Sequence, residues 1–266
     1  MAKIVPLPTR AFGAEPGVPD VAALARWIAD HRGIAADLHA YRLDQSLAPQ
    51  LDAGITAPCA GGLFCRDRVL GQLTGLNKKK DTATGEIDTE GTALAEDAAL
   101  LAAQKKNIWC ALPAPSALGI TDAYYGDEDE WDDALTAAYR RMMRNMRDAG
   151  IGGHVLIGEK VVEREVAALA GKKSFFFIPD ESPEDLEIVM EYQREVAAVP
   201  TLLGKLISLT GEYEVAQLII IDPDEGSIKT ALSSFDPDRI SVGGYCTSSC
   251  DSYWKNLAES AVYWKE

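Results

Sequence analysis

"AQLIIIDPDEGSIKTALSSFDPDRISVGGYC", residues 216–246, decides the fold. An apolar run ending at Ile221 breaks at Asp222-Pro223, a helical pattern follows, and a second apolar run begins after Asp236-Pro237. Two short strands joined by a helix read as a parallel crossover unit, because a hairpin would need only a tight turn between them. Working outward, the same alternation recurs at "KIVPLPTR" (3–10), "ITAPCAG" (55–61), "NIWCALPAP" (107–115), "GHVLIG" (153–158), "KSFFFIPD" (173–180) and "EVAAVP" (195–200). Eight strand-helix units in 266 residues predict a (β/α)8 TIM barrel, an α/β fold built as a single domain over 1–266. The alternative is an open doubly wound sheet, but neither G-x-G-x-x-G nor the P-loop pattern occurs to support nucleotide binding.

The segments between strands carry helical periodicity. "VPDVAALARWIADH" places Val21, Leu24, Ala25 and Ile28 on one face. "IAADLHAYRLDQSLAPQLDAG" puts Ile34, Leu38, Tyr41, Ala48 and Leu51 on a stripe that Pro49 threatens to break and Gly54 ends. "DEDEWDDALTAAYRRMMRNMRDAG" is the clearest helix, with acids at its positive end and basic residues toward Gly150. "NKKKDTATGEIDTEG" (77–91) is polar and unpatterned, a surface loop or hairpin. At the C-terminus Trp254, Leu257, Ala261 and Trp264 recur at helical spacing as a sealing stripe; any Tyr or Trp left exposed there would favour a homodimer face.

Forty-one acidic against 26 basic residues give a net charge of -15. Such a field repels phosphate backbones and anionic headgroups, which argues against nucleic acid and membrane as partners. No apolar run approaches the ~20 residues of a bilayer span, and "MAKIVPLPTR" lacks a signal peptide's apolar core, so the expectation is a cytoplasmic protein. Its five cysteines (59, 65, 110, 246 and 250) then read as free thiols, metal ligands or redox groups before disulfides.

Several of these segments resemble the catalytic barrel of cobalamin-independent methionine synthase, a fold shared with uroporphyrinogen decarboxylase. "IVPLPTRAFGAEP" is similar to that family's Leu-Pro-Thr strand and its first turn, and "QLDAGITAPCAGGLFCRD" to a segment with a Gln, an Ala-Gly-Ile turn, a strand and an acidic corner. "NIWCALPAPSAL" resembles the Leu-Pro-Gly-Pro strand, "AYYGDEDEWDDALTAAYRRMMRNMRDAGIGGHVLIGE" the acid-rich helix that leads to an Asp-Glu-Pro strand end, and "FDPDRISVGGYC" the last strand with its cysteine. The matches run in family order from residue 4 to residue 246. The resemblance implies methyl transfer to a thiol at the carboxyl ends of the strands, with zinc held by a His-x-Cys pair, a Glu and the last-strand Cys. Only Cys246 stands at a matching ligand position. Phe177 and Pro179 replace the His-x-Cys pair, the sixth strand offers no Glu, and Ala14, Gly62 and Gly158 replace substrate-holding residues, with Glu159 kept.

A rebuilt site is geometrically open on such a barrel. Cys59 and Cys65 follow strand two and Cys246 and Cys250 follow strand eight, so four thiols could gather for zinc, with an iron-sulfur cluster less favoured and no cofactor as the remaining case. Their Cys-x5-Cys and Cys-x3-Cys spacings are not metal knuckles; a disulfide in either pair is disfavoured in the cytoplasm, and buried thiols are the commonest outcome. Cys246 reads as ligand or nucleophile with Cys250 in support, and Glu159 as a base or substrate anchor, against an ion pair with Lys160. Asp180, Glu181, Asp222 and Asp224 also close strands, where helix capping is the plainer role. Arg10 ends strand one in this reading, to meet a carboxylate or phosphate in the mouth or, equally, to pair with surrounding acids; His31 and His39 read as capping or surface residues, and His154 sits at an amino end. Two functions follow: an enzyme acting on a thiol or one-carbon carrier, with a small-molecule substrate or methyl-carrier protein as partner, or a non-catalytic barrel that accompanies a corrinoid or other methyl-carrying protein.

Overall fold

The computed structural model describes residues 3–31, 37–77 and 79–265; Ile34 and Lys78 lie outside them. Eight parallel strands follow one another along the chain: β1 (Thr9–Ala14), β2 (Cys59–Gly61), β3 (Trp109–Pro113), β4 (Gly153–Ile157), β5 (Ser174–Phe177), β6 (Glu195–Ala198), β7 (Gln217–Ile221) and β8 (Ile240–Cys246). They form two four-stranded sheets, in the orders β6-β7-β8-β1 and β2-β3-β4-β5. Helices separate them: α1 (Val21–Asp30), α2 (Leu38–Asp52), α3 (Arg66–Gln72), α4 (Ala93–Gln104), α5 (Glu128–Asp148), α6 (Glu163–Leu169), α7 (Pro183–Tyr192), α8 (Leu203–Leu209), α9 (Glu225–Leu232) and α10 (Cys250–Ser260). This is a mixed α/β fold of parallel sheets. Among the described residues no helix is long and apolar enough to cross a membrane.

The helices begin where the chain supplies acceptors for their unpaired amides. Asp20, Asp37, Asp127, Ser182 and Asp224 each accept from the amide three residues on. Pro49 does not end α2, which runs on to Asp52. Its missing amide leaves the Gln45 carbonyl unpaired within the helix, and because Gln45 is exposed water can meet that acceptor.

Two sequence expectations change at the termini. Lys3–Pro6 does not belong to β1 but pairs antiparallel with Val262–Lys265, so the last apolar stretch ends as a strand rather than continuing the helix. Trp264, opposite Ile4 in that ribbon, is exposed instead of sealing the core. The apolar stripe of α1 is likewise not a core face: none of its residues is buried, and Val21 is 81% exposed. Residues 76–77 and 82–83 form a small hairpin beside Thr121–Asp122, which resolves the loop-or-hairpin alternative over 77–91.

The two sheets meet along two seams. At the first, β1 and β2 join through a single bridge, Arg10 to Ala57, with Ala11 N–H donating to Ala57 O and Ala57 N–H to Thr9 O. Beyond it the ladder is continued by α2. Gln50 accepts from Cys59 N–H at 2.8 Å and donates to Cys59 O and Ser46 O, both at 2.7 Å, while the Ser46 hydroxyl accepts from Gly61 N–H. At the second seam no ladder pairs β5 with β6 among the described residues. Buried Gln193, just past α7, takes its place, accepting from Phe176 N–H at 2.5 Å and reaching Phe176 O at 3.4 Å. A side-chain amide thus stands in for a backbone amide at both seams, which meets the demand that buried peptide groups be paired.

Alternation along the strands fills the space between the sheets. Phe12 stacks on Phe177 with ring centroids 4.7 Å apart and leans on Phe175 at 5.1 Å. Gly243 is required beside them, since a Cβ there would collide with Phe12 and Ile219.

Candidate active face at the carboxyl ends of the strands

Glu15, one residue past β1, anchors the first corner. Its carboxylate accepts from the Tyr245 hydroxyl and from Leu63 N–H, both at 2.5 Å, with the Arg42 guanidinium 3.9 Å away. The carboxylate occupies the space a side chain at residue 62 would need: a Cβ on Gly62 would meet Glu15 and the Ala14 carbonyl. Gly62 thus leaves room at this corner for a carboxylate that arrives from β1. Burial, reinforced by Glu15, pushes the Tyr245 phenol far above its usual range, so it stays protonated and donates.

A second acid-tyrosine pair lies on the other side of β8. Asp222 follows β7 in a left-handed conformation (φ 44°) and accepts from the Tyr253 hydroxyl of α10 at 2.5 Å. Gly244 makes room, because a Cβ there would overlap the Tyr253 ring. Burial raises the Asp222 carboxyl, with the Tyr253 hydrogen bond opposing it. Asp224 is the helix cap that the sequence suggested; Asp222 is not, and a positive φ on a non-glycine residue marks it as held in place by its surroundings.

Glu181 also departs from a capping role, which Ser182 and Asp185 fill reciprocally at α7. Its side chain sits over the carboxyl end of the second seam, among Phe177, Ile178, Val199 and Ile221. Burial, with Asp185 adding repulsion, pushes its carboxyl to about 8, so it is mostly a neutral acid at pH 7. Glu159 is exposed past β4 beside exposed Lys160, and no salt bridge joins the two.

The cysteines separate into a bonded pair and three thiols. Cys246, at the end of β8 and fully buried, is joined to Cys250, the first residue of α10. The disulfide that the cytoplasmic reading disfavours is therefore the arrangement found, because a four-residue separation across the strand-helix turn brings the Cα atoms to 5.7 Å, within the span a disulfide requires. Cys59, Cys65 and Cys110 are free and buried, and burial raises all three thiols, Cys65 to about 12. Cys59 packs in the cluster that includes Phe12 and Cys246, whereas Cys65 packs in the separate cluster around α3 to α6. Among the described residues no group of three or more His, Cys, Asp or Glu is placed to hold a metal. The family's zinc does not fit here: Phe177 and Pro179 stand at two ligand positions and the Cys246 sulfur is bonded to Cys250.

The remaining assignments move for local reasons. Arg10 is the second residue of β1, at its amino end rather than in the mouth, because the strand starts at Thr9; it pairs with Glu195 at 2.5 Å. His31 does cap α1, with Nδ1 2.7 Å from Trp27 O. His39 is not on the surface: it is 3.5 Å from Asp97 beside Arg68, and burial with Arg68 lowers it to about 4. His154 is fully buried at the amino end of β4 and lowered by burial to about 3.

Sequence reading gave no role to Glu15 and Tyr245 and counted Tyr253 only among the C-terminal aromatic residues. The usable signals were an acid one residue past a strand, at the Ala14-Glu15 turn, and the glycines at 62 and 244, which mark where each pair approaches the backbone.

No known family profile matches the chain, and no curated protein does. Solved structures do. The crystal structure of a Listeria monocytogenes protein described as a "putative vitamin-B12 independent methionine synthase" superposes with a TM-score of 0.56 over 97% of this chain and 96% of its own, at 14% identity. The chain has a distantly methionine-synthase-like fold, and a likeness at this identity concerns the fold alone.

Proposed function

We propose that this chain is a methionine-synthase-like (β/α)8 barrel, with its second seam closed by Gln193, that carries out thiol or one-carbon chemistry at the carboxyl ends of its strands. The supporting observation is the Cys246–Cys250 pair between two acid-tyrosine pairs, at the end of the strand where the related family keeps a reactive-thiolate ligand. In the oxidised state neither sulfur is a nucleophile. Reduction frees both, and Cys250 then opens the 11-residue α10, whose positive end favours a nearby thiolate. Methyl transfer would form a sulfur-carbon bond at Cys246 while the carrier-carbon bond breaks, its electron pair staying with the carrier. Glu181 is the neutral acid of this face, and Glu159 on the rim orients a cationic group of the substrate.

The test uses reduced and unreduced protein with methylcobalamin or methyltetrahydrofolate as donor, followed by peptide mass spectrometry. Methylation of the Cys246 peptide in reduced protein supports the reading; an unmodified peptide with either donor overturns it. Metal per chain, measured on the reduced, anaerobically purified protein and on Cys246→Ser and Cys59→Ser, tests the rebuilt cysteine site: stoichiometric metal lost in both variants would establish it.

The accessory reading draws on a different observation. Phe12, Phe177 and Tyr245 fill the axis between the sheets, with the Phe177 and Tyr245 rings 5.8 Å apart, at the depth where a substrate would enter. A corrinoid protein retained one-to-one without methyl transfer would favour it. The exposed Trp264 and Ile4 ribbon is the face we assign to a homodimer, testable by sedimentation of Trp264→Ser.

A further inference from the structure

The second seam does more than interrupt a ladder. On the amino side of Gln193 it opens into a cavity of about 700 Å³, within the size range of small-molecule sites. Trp109, Phe175 and Tyr192 supply aromatic walls, and Lys172, Ser174 and Glu195 supply the polar ones. This is the opposite end of the strands from the active face described above.

Two polar groups here lack partners. Ser174 lines the cavity, is 6% exposed, and its hydroxyl makes no hydrogen bond. Arg10 does not itself line the cavity but lies against two of its walls, its guanidinium 4.5 Å from the Trp109 ring and 4.8 Å from the Phe175 ring. One nitrogen, Nη1, pairs with Glu195, whose side chain is half-exposed, while Nη2 is buried without a partner. A guanidinium binds a carboxylate best through two parallel hydrogen bonds, so half of this fork is unused. A buried donor left unpaired keeps the full cost of its desolvation, which occupancy by an acceptor would recover.

The charge around the cavity is balanced, unlike that of the molecule. Arg10, Lys172 and Arg194 contribute three positive charges against three from Glu195, Glu214, paired to Arg194 at 3.3 Å, and Glu163, which accepts from the Tyr192 hydroxyl at 3.0 Å. The whole chain carries -15. An anion is therefore repelled less at this opening than by the rest of the surface.

We propose that the amino-end opening of the second seam is a binding site for a small planar aromatic anion. Its ring stacks against Trp109 and Tyr192. Its acidic group accepts from the Arg10 fork, displacing the half-exposed Glu195 carboxylate toward solvent, and from Lys172 and the Ser174 hydroxyl. The site is independent of the thiol chemistry at the other end.

2-Naphthoate is the probe, titrated calorimetrically into the full chain, with neutral 2-naphthamide as control. Saturable one-to-one binding is expected, weaker by at least about tenfold for the amide, which lacks the charge. Lys172→Glu and Tyr192→Ala alter surface-accessible walls and leave the core intact; each should weaken naphthoate binding several-fold, and Cys246→Ser should leave it unchanged. Absence of saturable binding, equal affinity for acid and amide, or affinity unaffected by both wall variants would overturn the proposal.

Discussion

The two seams solve one problem with unequal completeness. At the first, a backbone bridge at Arg10 and Ala57 is extended by Gln50 and Ser46, and the carboxyl end is closed by Glu15, whose oxygens meet Tyr245, Leu63 N–H and Arg42. At the second, Gln193, two residues before β6, pairs with Phe176 of β5, the carboxyl end is topped by Glu181 with no hydrogen-bond partner among the described residues, and the amino end is an open cavity. Paired backbone groups make the first seam a structural joint, although Arg42 Nε beside Glu15 is buried without a partner. The second seam has fewer such joints and an open cavity, and it is where we place ligand binding.

Substitutions should rank accordingly. Gln50→Leu strands the amide and carbonyl of Cys59 in a dry interior and should cost about 3–5 kcal/mol, read as a lowered denaturation midpoint. Gly62→Ala forces Glu15 and the Ala14 carbonyl apart and should cost about 2–3 kcal/mol, with loss of the Tyr245 contact as a secondary effect. Gln193→Leu orphans Phe176 in the same chemical way, yet water in the adjacent cavity can reach the exposed groups, so about 1–2 kcal/mol is expected. Equal losses for Gln50→Leu and Gln193→Leu would break the comparison.

The smallest expected effect is a pH dependence at the second seam. Burial raises the Glu181 carboxyl from 4.5 to about 8, so the folded state holds a proton that the unfolded chain releases. Stability from this group is fully present below pH 4.5 and is lost as pH rises through about 8. Rehydration at the rim trims the loss to on the order of 1 kcal/mol. Glu165 and Asp97, raised to about 7 and about 6, titrate in the same range, so the measurement is the difference between the parent and Glu181→Gln across pH 5 to 9, the variant falling less.

Much of the strand order was legible because most strands are apolar runs closed by Pro, Asp or Gly, as in "FFFIPD" and "LIIIDPD". The start of β1 was not: Lys3–Pro6 and Thr9–Ala14 are both extended, and only pairing with Val262–Lys265 tells them apart. That shift carried Arg10 from one end of the fold to the other. The α1 stripe misled because periodicity reports an apolar face and not whether anything covers it. The role of the glutamine joints was unreadable for a related reason. Gln50 was visible only as the first residue of a family-like segment and Gln193 not at all, because their work depends on which strands come to lie beside them. Cys246 and Cys250 were visible as a pair, but their spacing alone left metal, thiol and disulfide open.

The central claim is that the carboxyl face acts through Cys246, with Cys250 holding it inactive until reduced. The direct measurement is peptide mass spectrometry on protein exposed to methylcobalamin with and without prior reduction. The account predicts a methyl group on the Cys246 peptide only after reduction, retained in Cys250→Ser without reductant and absent in Cys246→Ser. An unmodified Cys246 in the reduced protein, or a methyl group confined to another cysteine, would contradict it.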